Sequence, residues 1–170
     1  MTTLASEIKA SIQWLFQEPL ALTTVGDASQ ALYDGTLASG TAADQADRIW
    51  SDQRTLAAGA NDDLDLTALS HSIFGASVAI NFARVKAILI VHTSTTAGEK
   101  LWLDPSVTNG FSGATAGTTS GKIEIGADSA ALLASKKDGW ATGLSNKILR
   151  IHNAGAQTAV YNIVVLGTSV

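Results

Sequence analysis

The stretch Val85-Lys86-Ala87-Ile88-Leu89-Ile90-Val91 decides the fold class, because both of its alternating sets of positions are largely apolar. A β-strand that is covered on both faces has this pattern. Just before it, Val78, Ile80 and Phe82 alternate with Ala79 and Asn81. A side-chain period of two predicts strands across the centre of the chain.

Short strands separated by turn residues are predicted along most of the remaining sequence. They fall at residues 48–56, 64–66, 101–103, 122–125, 131–134, 148–152 and 159–166. Ala97-Gly98 is a candidate hairpin turn, residues 104–121 form a long loop, and residues 23–47 are predicted as loop with one short strand. This pattern predicts an all-β fold, and we favour a jelly-roll-like β-sandwich over another Greek-key sandwich.

The N-terminal segment has its own alternation, with apolar or small residues at every second position from Ile8 to Phe16. A helical stripe through Leu4, Ile8, Ile12 and Leu15 is the alternative. The aromatic and β-branched content favours a strand, which Pro19 ends. We therefore expect residues 1–20 to form an extended N-terminal arm and residues 21–170 to form a single β-sandwich domain.

The composition limits the function classes. Of the 170 residues, 46% are hydrophobic and only 15% are charged, against a usual charged fraction of about 25%. A sparsely charged surface is typical of a protein that hides part of it in an assembly, although Ser and Thr can also solvate a β-protein. The net charge of −4 and the scattered Lys and Arg residues argue against a nucleic-acid partner.

The N-terminus lacks the features of a signal peptide, and the longest apolar stretch, Ala87 to Val91, is far too short to span a membrane. Cysteine is absent, which suits synthesis in a reducing cytoplasm. We expect no membrane partner.

No motif indicates catalysis. Gly117 to Lys122 has three residues between its glycines, whereas a phosphate-binding loop has four. Asn61 to Asp65 is the acidic cluster, and a solvated turn before a strand explains it better than calcium binding. His71, His92 and His152 lack metal-ligand spacing. We expect no catalytic residue, no metal and no cofactor.

The four tryptophans divide into two pairs. Trp14 and Trp50 are interpreted first as core residues, and Trp102 and Trp140 are equally compatible with surface positions. Exposed aromatic residues are common anchors of protein interfaces. The candidate partner-binding residues are Ile8, Ile12, Trp14, Phe16, Trp102 and Trp140.

Several segments resemble a family of small virion structural proteins of tailed bacteriophages and prophages. They are residues 43–66, Phe74-Gly75, 80–88, 93–98 (a hairpin in such proteins), 109–113, 148–153 and 161–168. The resemblance extends over roughly residues 5 to 168 and departs at Gly126 to Ala130, where such sequences often carry a Pro-Gly-Gly-like turn.

The resemblance implies a decoration (cement) protein on the capsid surface, made in the host cytoplasm. Its partners would be the major capsid protein and further copies of itself, as a homodimer or homotrimer. A fibre-base, tail or receptor-binding module of the virion is the first alternative, with Trp102, Trp140 and the 104–121 loop as its recognition surface. A sugar-binding or sugar-cleaving domain is the second.

Overall fold

The computed structural model describes residues 3–19, 21–73 and 76–170, so the Phe74-Gly75 pair and residues 1, 2 and 20 of the predicted arm lie outside the described part. The described residues are all-β, with one short 3-10 turn at Gly113–Thr115 and no α-helix. The strands are β1 (Ser6–Pro19), β2 (Thr24–Ser39), β3 (Gln45–Ala46), β4 (Arg48–Leu56), β5 (Asn61–Asp65), β6 (Leu69–Ile73), β7 (Ala76–Ile80), β8 (Arg84–His92), β9 (Lys100–Leu103), β10 (Ile123–Gly126), β11 (Ser129–Ala134), β12 (Trp140–Ala141), β13 (Ile148–Asn153) and β14 (Ala159–Thr168).

Two antiparallel sheets form the body of the protein. The larger sheet has the order β11-β8-β14-β4, with β12 also paired to β8, and the smaller sheet has the order β10-β9-β13-β5. Five connections pass directly from one sheet to the other: β4 to β5, β8 to β9, β10 to β11, β12 to β13 and β13 to β14. None of the sheets is closed.

Side chains from both sheets form one buried cluster, because each strand turns its apolar alternation toward the other sheet. The fully or almost fully buried members include Ile88, Ile90, Leu101, Leu103, Leu149, Ile151, Tyr161, Ile163 and Val165. Burying each such side chain contributes about 1.5–3 kcal/mol, so this cluster supplies the main stabilisation of the body.

Several predicted strands are confirmed. β4 has the bounds expected from the sequence, and its Trp50 and Leu56 are both buried. The strand predicted to be covered on both faces is β8, which is central in the larger sheet. Its core-side residues Ile88 and Ile90 are fully buried, whereas Leu89 and Val91 are only half-buried. Trp14, by contrast, is 44% exposed, so its interpretation as a core residue is wrong.

The predicted hairpin turn at Ala97-Gly98 is wrong, because β8 and β9 belong to different sheets. Gly98 does adopt a positive φ of 86° there, so the turn chemistry was recognised correctly. A glycine with positive φ occurs both in hairpin turns and in connections between two sheets, so the local sequence cannot tell which of the two is present.

The prediction of loop over residues 23–47 is also wrong, because β2 is a strand of 16 residues. It is rich in small and polar residues and has little alternation of its own. Its extended conformation follows from pairing with β1 along the whole of that strand, from Ser6 opposite Leu37 to Pro19 opposite Thr24. Pairing with a neighbouring strand outweighs weak local propensity.

The acidic cluster is part of strand β5 and is not a turn. Asp62, Asp63 and Asp65 form ion pairs with Arg54, Arg150 and Lys147 respectively. Asp62 is the most enclosed of the three: Arg54 donates two hydrogen bonds of 2.8 Å to its carboxylate, and the buried Tyr161 hydroxyl donates a third of 2.6 Å. These bonds link β5 of the smaller sheet to β4 and β14 of the larger one.

The environment of this triad shifts two pKa values. Burial opposes ionisation of Asp62, but the hydrogen bonds from Arg54 and Tyr161 outweigh it and lower the pKa of Asp62 below 3.8. Burial, followed by the hydrogen bond to Asp62, raises the pKa of Tyr161. Ionised Asp62 thus stabilises the fold above its unfolded pKa, and this contribution is lost as the pH falls through the lower folded value.

We predict that Asp62→Asn lowers the free energy of unfolding at pH 7 by about 2 kcal/mol, because it leaves buried donors without their charged acceptor. The variant should also lose less stability than the wild type between pH 5 and pH 2, measured by urea unfolding. Asp63→Asn is the matched control, since its pair with Arg150 is more exposed, and it should cost less than about 1 kcal/mol. Equal losses for the two variants would contradict the role assigned to the triad.

Candidate interaction surface

Strands β1 and β2 form a long antiparallel hairpin whose residues from Lys9 to Pro19 and from Thr24 to Asp34 are all exposed. Residues directly opposite one another share a face of the ribbon. One face carries Ile8, Ala10, Ile12, Trp14 and Phe16 from β1, with Val25, Ala31, Tyr33 and Leu37 from β2. Toward the tip the same face also carries Ser29, Asp27 and Glu18, and Trp14 Nε1 donates a hydrogen bond of 3.4 Å to Asp27. We call this the hairpin apolar face.

Only the base of the hairpin apolar face is covered by the body. Ile8 and Leu37 are buried in a small cluster with Ala46, Ala87 and Leu166. This cluster lies on the outer side of the larger sheet, away from the main core. Ile8, a candidate partner-binding residue, is 4% exposed. It therefore anchors the hairpin and is not available to a partner.

Beyond this base the same face is exposed to solvent. Ile12 is 71% exposed and Phe16 is 68% exposed, and Leu22 at the tip is 99% exposed. Nine residues from Ala10 to Glu18 extend about 30 Å, and two strands make the ribbon about 10 Å wide, so each face measures roughly 300 Å². The largest apolar patch of a typical soluble monomer is of about this size, and such patches often belong to interaction sites.

The opposite face of the hairpin is mainly polar. Lys9 lies 2.9 Å from Glu7 and 3.6 Å from Asp34, and Gln13 donates a hydrogen bond of 3.2 Å to Gln30. Leu15 and Leu32 interrupt this face. The hairpin is therefore an amphipathic ribbon, and one face is suited to contact with another protein.

A second apolar surface lies next to the base of the hairpin, on the outer side of the larger sheet. Ile49, Leu89, Leu132 and Val164 line it and form, with Ile8, a cleft of about 230 Å³. Ile49 is exposed and the other three are half-buried. We call these four residues the outer-sheet patch.

The outer side of the smaller sheet carries charged side chains that form ion pairs with one another. Trp102 is half-buried there: its Nε1 donates to Glu124 at 3.0 Å, and Lys122 Nζ lies 4.5 Å from its ring centroid. The ring of His152 is 5.4 Å away. Trp102 is thus fixed by contacts with Glu124, Lys122 and His152 and does not belong to the hairpin.

Trp140 belongs to the edge of the core. It is half-buried, packs against the main buried cluster and makes an edge-to-face contact with Phe111 at 6.4 Å between ring centroids. Gly113 is required beside it, because a Cβ at that position would lie 2.5 Å from the Trp140 Cβ. The structure therefore brings Ile12, Trp14 and Phe16 together on one surface and places Trp102 and Trp140 elsewhere.

Sequence reasoning missed the β2 half of the hairpin apolar face and the whole outer-sheet patch. Tyr33 and Val25 lie in a segment without clear alternation. Leu89 and Val164 belong to strands that are apolar on both faces. The available signal was that double-sided apolar pattern, which requires a cover on the outer side as well as on the core side.

Comparison of the chain with protein-family models, with curated proteins and with solved structures gave no match. Among the described residues, no helix has the length and apolar character needed to cross a membrane.

We predict that Ile8→Ala releases the hairpin from the body, because it removes the buried contact with Ala87 and Leu166. Chymotrypsin should then cleave at Trp14 and Phe16 several-fold faster, while the body keeps its resistance. Ile12→Ala is the matched control: it makes the same chemical change at an exposed position of the same face and should leave the cleavage rate unchanged. Equal cleavage rates for wild type and Ile8→Ala would show that Ile8 is not the anchor.

Proposed function

We propose that the chain is a non-enzymatic structural protein of a tailed-phage virion, a decoration protein that bridges major capsid subunits on the head. The observation that carries the proposal is the hairpin apolar face, which the protein exposes over roughly 30 Å without covering it. The resemblance of the sequence to small virion structural proteins supplies the biological setting. The low charged fraction of 15% agrees with a surface that assembly partly covers.

We also propose that the body is a jelly-roll β-sandwich and that the predicted arm, residues 1–20, contributes the first strand of a projecting hairpin whose second strand is β2. The strand order supports this assignment. When the eight strands of a jelly roll are divided into four successive pairs, each of the two sheets receives one strand of every pair. Here β4/β5, β8/β9, β10/β11 and β13/β14 are such pairs, and they occupy matching places in the two orders.

The hairpin is the element that docks. Ile12, Trp14 and Phe16 present one branched and two aromatic side chains on a single face, and aromatic residues dominate the energetics of protein interfaces. The outer edge of β1 has no paired strand among the described residues. A partner strand can therefore also add to this edge through backbone hydrogen bonds.

Self-assembly follows from the same surface. A stable interface buries roughly 1,200–2,000 Å² in total. One hairpin face seated on another protein buries about twice its own 300 Å², which is too little alone. In the free protein, two hairpins exchanged between two copies reach about 1,200 Å², with the outer-sheet patch of each copy as the seat for the other's hairpin. Docking on the capsid then replaces this self-contact at the same face. This favours a homodimer.

The alternative of a receptor-binding or fibre-base module is less well supported. Its proposed recognition surface contains Trp102 and Trp140, and the structure holds the first under charged neighbours and packs the second against the core. Neither ring is a free stacking platform.

We predict that Trp14→Ser/Phe16→Ser reduces binding to expanded phage heads by at least tenfold, because it removes two aromatic anchors from the docking face. Binding is measured by co-sedimentation of purified protein with heads that lack it. Gln13→Ser/Gln17→Ser is the control, since it alters the opposite, polar face of the same strand and should bind like the wild type. Unchanged binding of the Trp14→Ser/Phe16→Ser variant would contradict the docking role.

We further predict that the full chain has a molar mass in solution of twice 17.5 kDa, determined by light scattering after gel filtration. Replacing residues 11–32 by an Asn-Gly turn, which joins the paired residues Ala10 and Tyr33, should give a monomer with an intact body. A full chain that is monomeric at all concentrations would refute the exchange of hairpins. It would leave the docking of a single hairpin to the capsid to be judged by the sedimentation assay.

A further inference from the structure

Three basic residues of this protein form no ion pair within the described part of the chain, and all three line the same cleft. The chain has 11 Lys and Arg residues, and every one of them is described. Eight have a carboxylate oxygen within 4 Å. Within the described residues, Arg84, Lys86 and Lys137 have none, and together they line a cleft of about 390 Å³.

The cleft lies where the start of β8 meets the turn after β11. Lys86 forms its floor and is 1% exposed. Its Nζ donates a hydrogen bond of 2.5 Å to the Lys137 carbonyl oxygen. Arg84 and Lys137 are exposed at the rim, and residues 41–43 form the facing wall.

The fold of the turn keeps Lys86 in the floor. Gly139 has a φ of 68°, and a Cβ there would lie 3.0 Å from Lys86 Cδ and 3.0 Å from the Val85 carbonyl oxygen. Only glycine fits this conformation and this space without strain. The aliphatic stem of Lys86 is thus packed beneath the turn, while its ammonium group is directed to the cleft side.

The positive charges that line the cleft are not balanced by carboxylates within ion-pair distance. Burial, followed by the charge of Arg84, lowers the pKa of Lys86. The charges of Asp138 and Asp44 offset this only in part. Asp44 is held by Lys136 at 2.8 Å, and Asp138 is exposed at the rim. Burying an ammonium group without a counter-charge is costly, so an incoming anion gains attraction from the floor as well as from the rim.

We propose that this cleft binds carboxylate groups of an acidic peptide segment on a partner protein. One Arg84 guanidinium nitrogen donates a hydrogen bond of 3.2 Å to the Asp138 carbonyl oxygen. Its remaining N–H groups offer a planar set of donors that matches a carboxylate, and Lys137 adds an exposed second cation. The lining holds three basic residues and one acidic residue, Asp138, so the cleft attracts anions overall. This site is distinct from the hairpin and does not depend on the proposed virion role.

The test is fluorescence anisotropy of a rhodamine-labelled peptide, Gly-Asp-Glu-Asp-Gly with blocked ends, titrated with the full-length protein at constant ionic strength. We expect saturable binding, no binding of the Gly-Asn-Gln-Asn-Gly peptide, and at least tenfold weaker binding to Arg84→Gln/Lys137→Gln. Lys86→Met, which replaces the buried charge by an apolar side chain of similar length, should also weaken binding. Circular dichroism and thermal unfolding check that each variant is folded.

Lys9→Gln/Lys100→Gln is the matched control, because it removes two exposed charges remote from the cleft and should bind the acidic peptide like the wild type. Inorganic phosphate is the competitor. Equal affinity for the neutral peptide, unchanged binding by folded Arg84→Gln/Lys137→Gln, or equal weakening by the control pair would each overturn the site. Stronger binding of phosphate than of the peptide would overturn the carboxylate assignment.

Discussion

The central constraint in this structure is that the body buries only the base of the hairpin apolar face and leaves the rest of that face exposed. Alternation along β1 places Ile8, Ile12 and Phe16 on the same face of the hairpin. Ile8 is buried against the larger sheet, whereas Ile12 and Phe16 extend beyond the body and remain exposed. The hydrophobic free energy that anchors the base is therefore left unrealised along the rest of the ribbon, and contact with another protein can recover it.

The outer sides of the two sheets differ in polarity. On the outer side of the smaller sheet, carboxylates and cations pair with one another, as Asp63 does with Arg150. This surface is polar and suited to contact with water. On the larger sheet, Ile49, Leu89 and Val164 leave an apolar patch beside the hairpin. The two outer surfaces therefore differ in polarity, and the basic cleft is a further surface feature without paired carboxylates.

Much of the fold follows from side-chain alternation, and the limits of that signal are physical. β4 and β8 could be predicted because packing between layers selects their residues directly. β2 could not, because its extended form is imposed by pairing with β1. Likewise, Ile8 and Ile12 are equivalent in the sequence, and only the tertiary structure decides that Ile8 is buried and Ile12 is exposed. The role of Lys86 was hidden because it lies within an apolar strand.

The most direct test of the account is a side-chain-resolution reconstruction of the phage particle that carries this protein. The account predicts that Ile12, Trp14 and Phe16 of every copy are buried against a neighbouring subunit, while the charged outer side of the smaller sheet faces solvent. A particle in which these hairpin residues are surrounded by solvent, or which lacks the protein altogether, would contradict it.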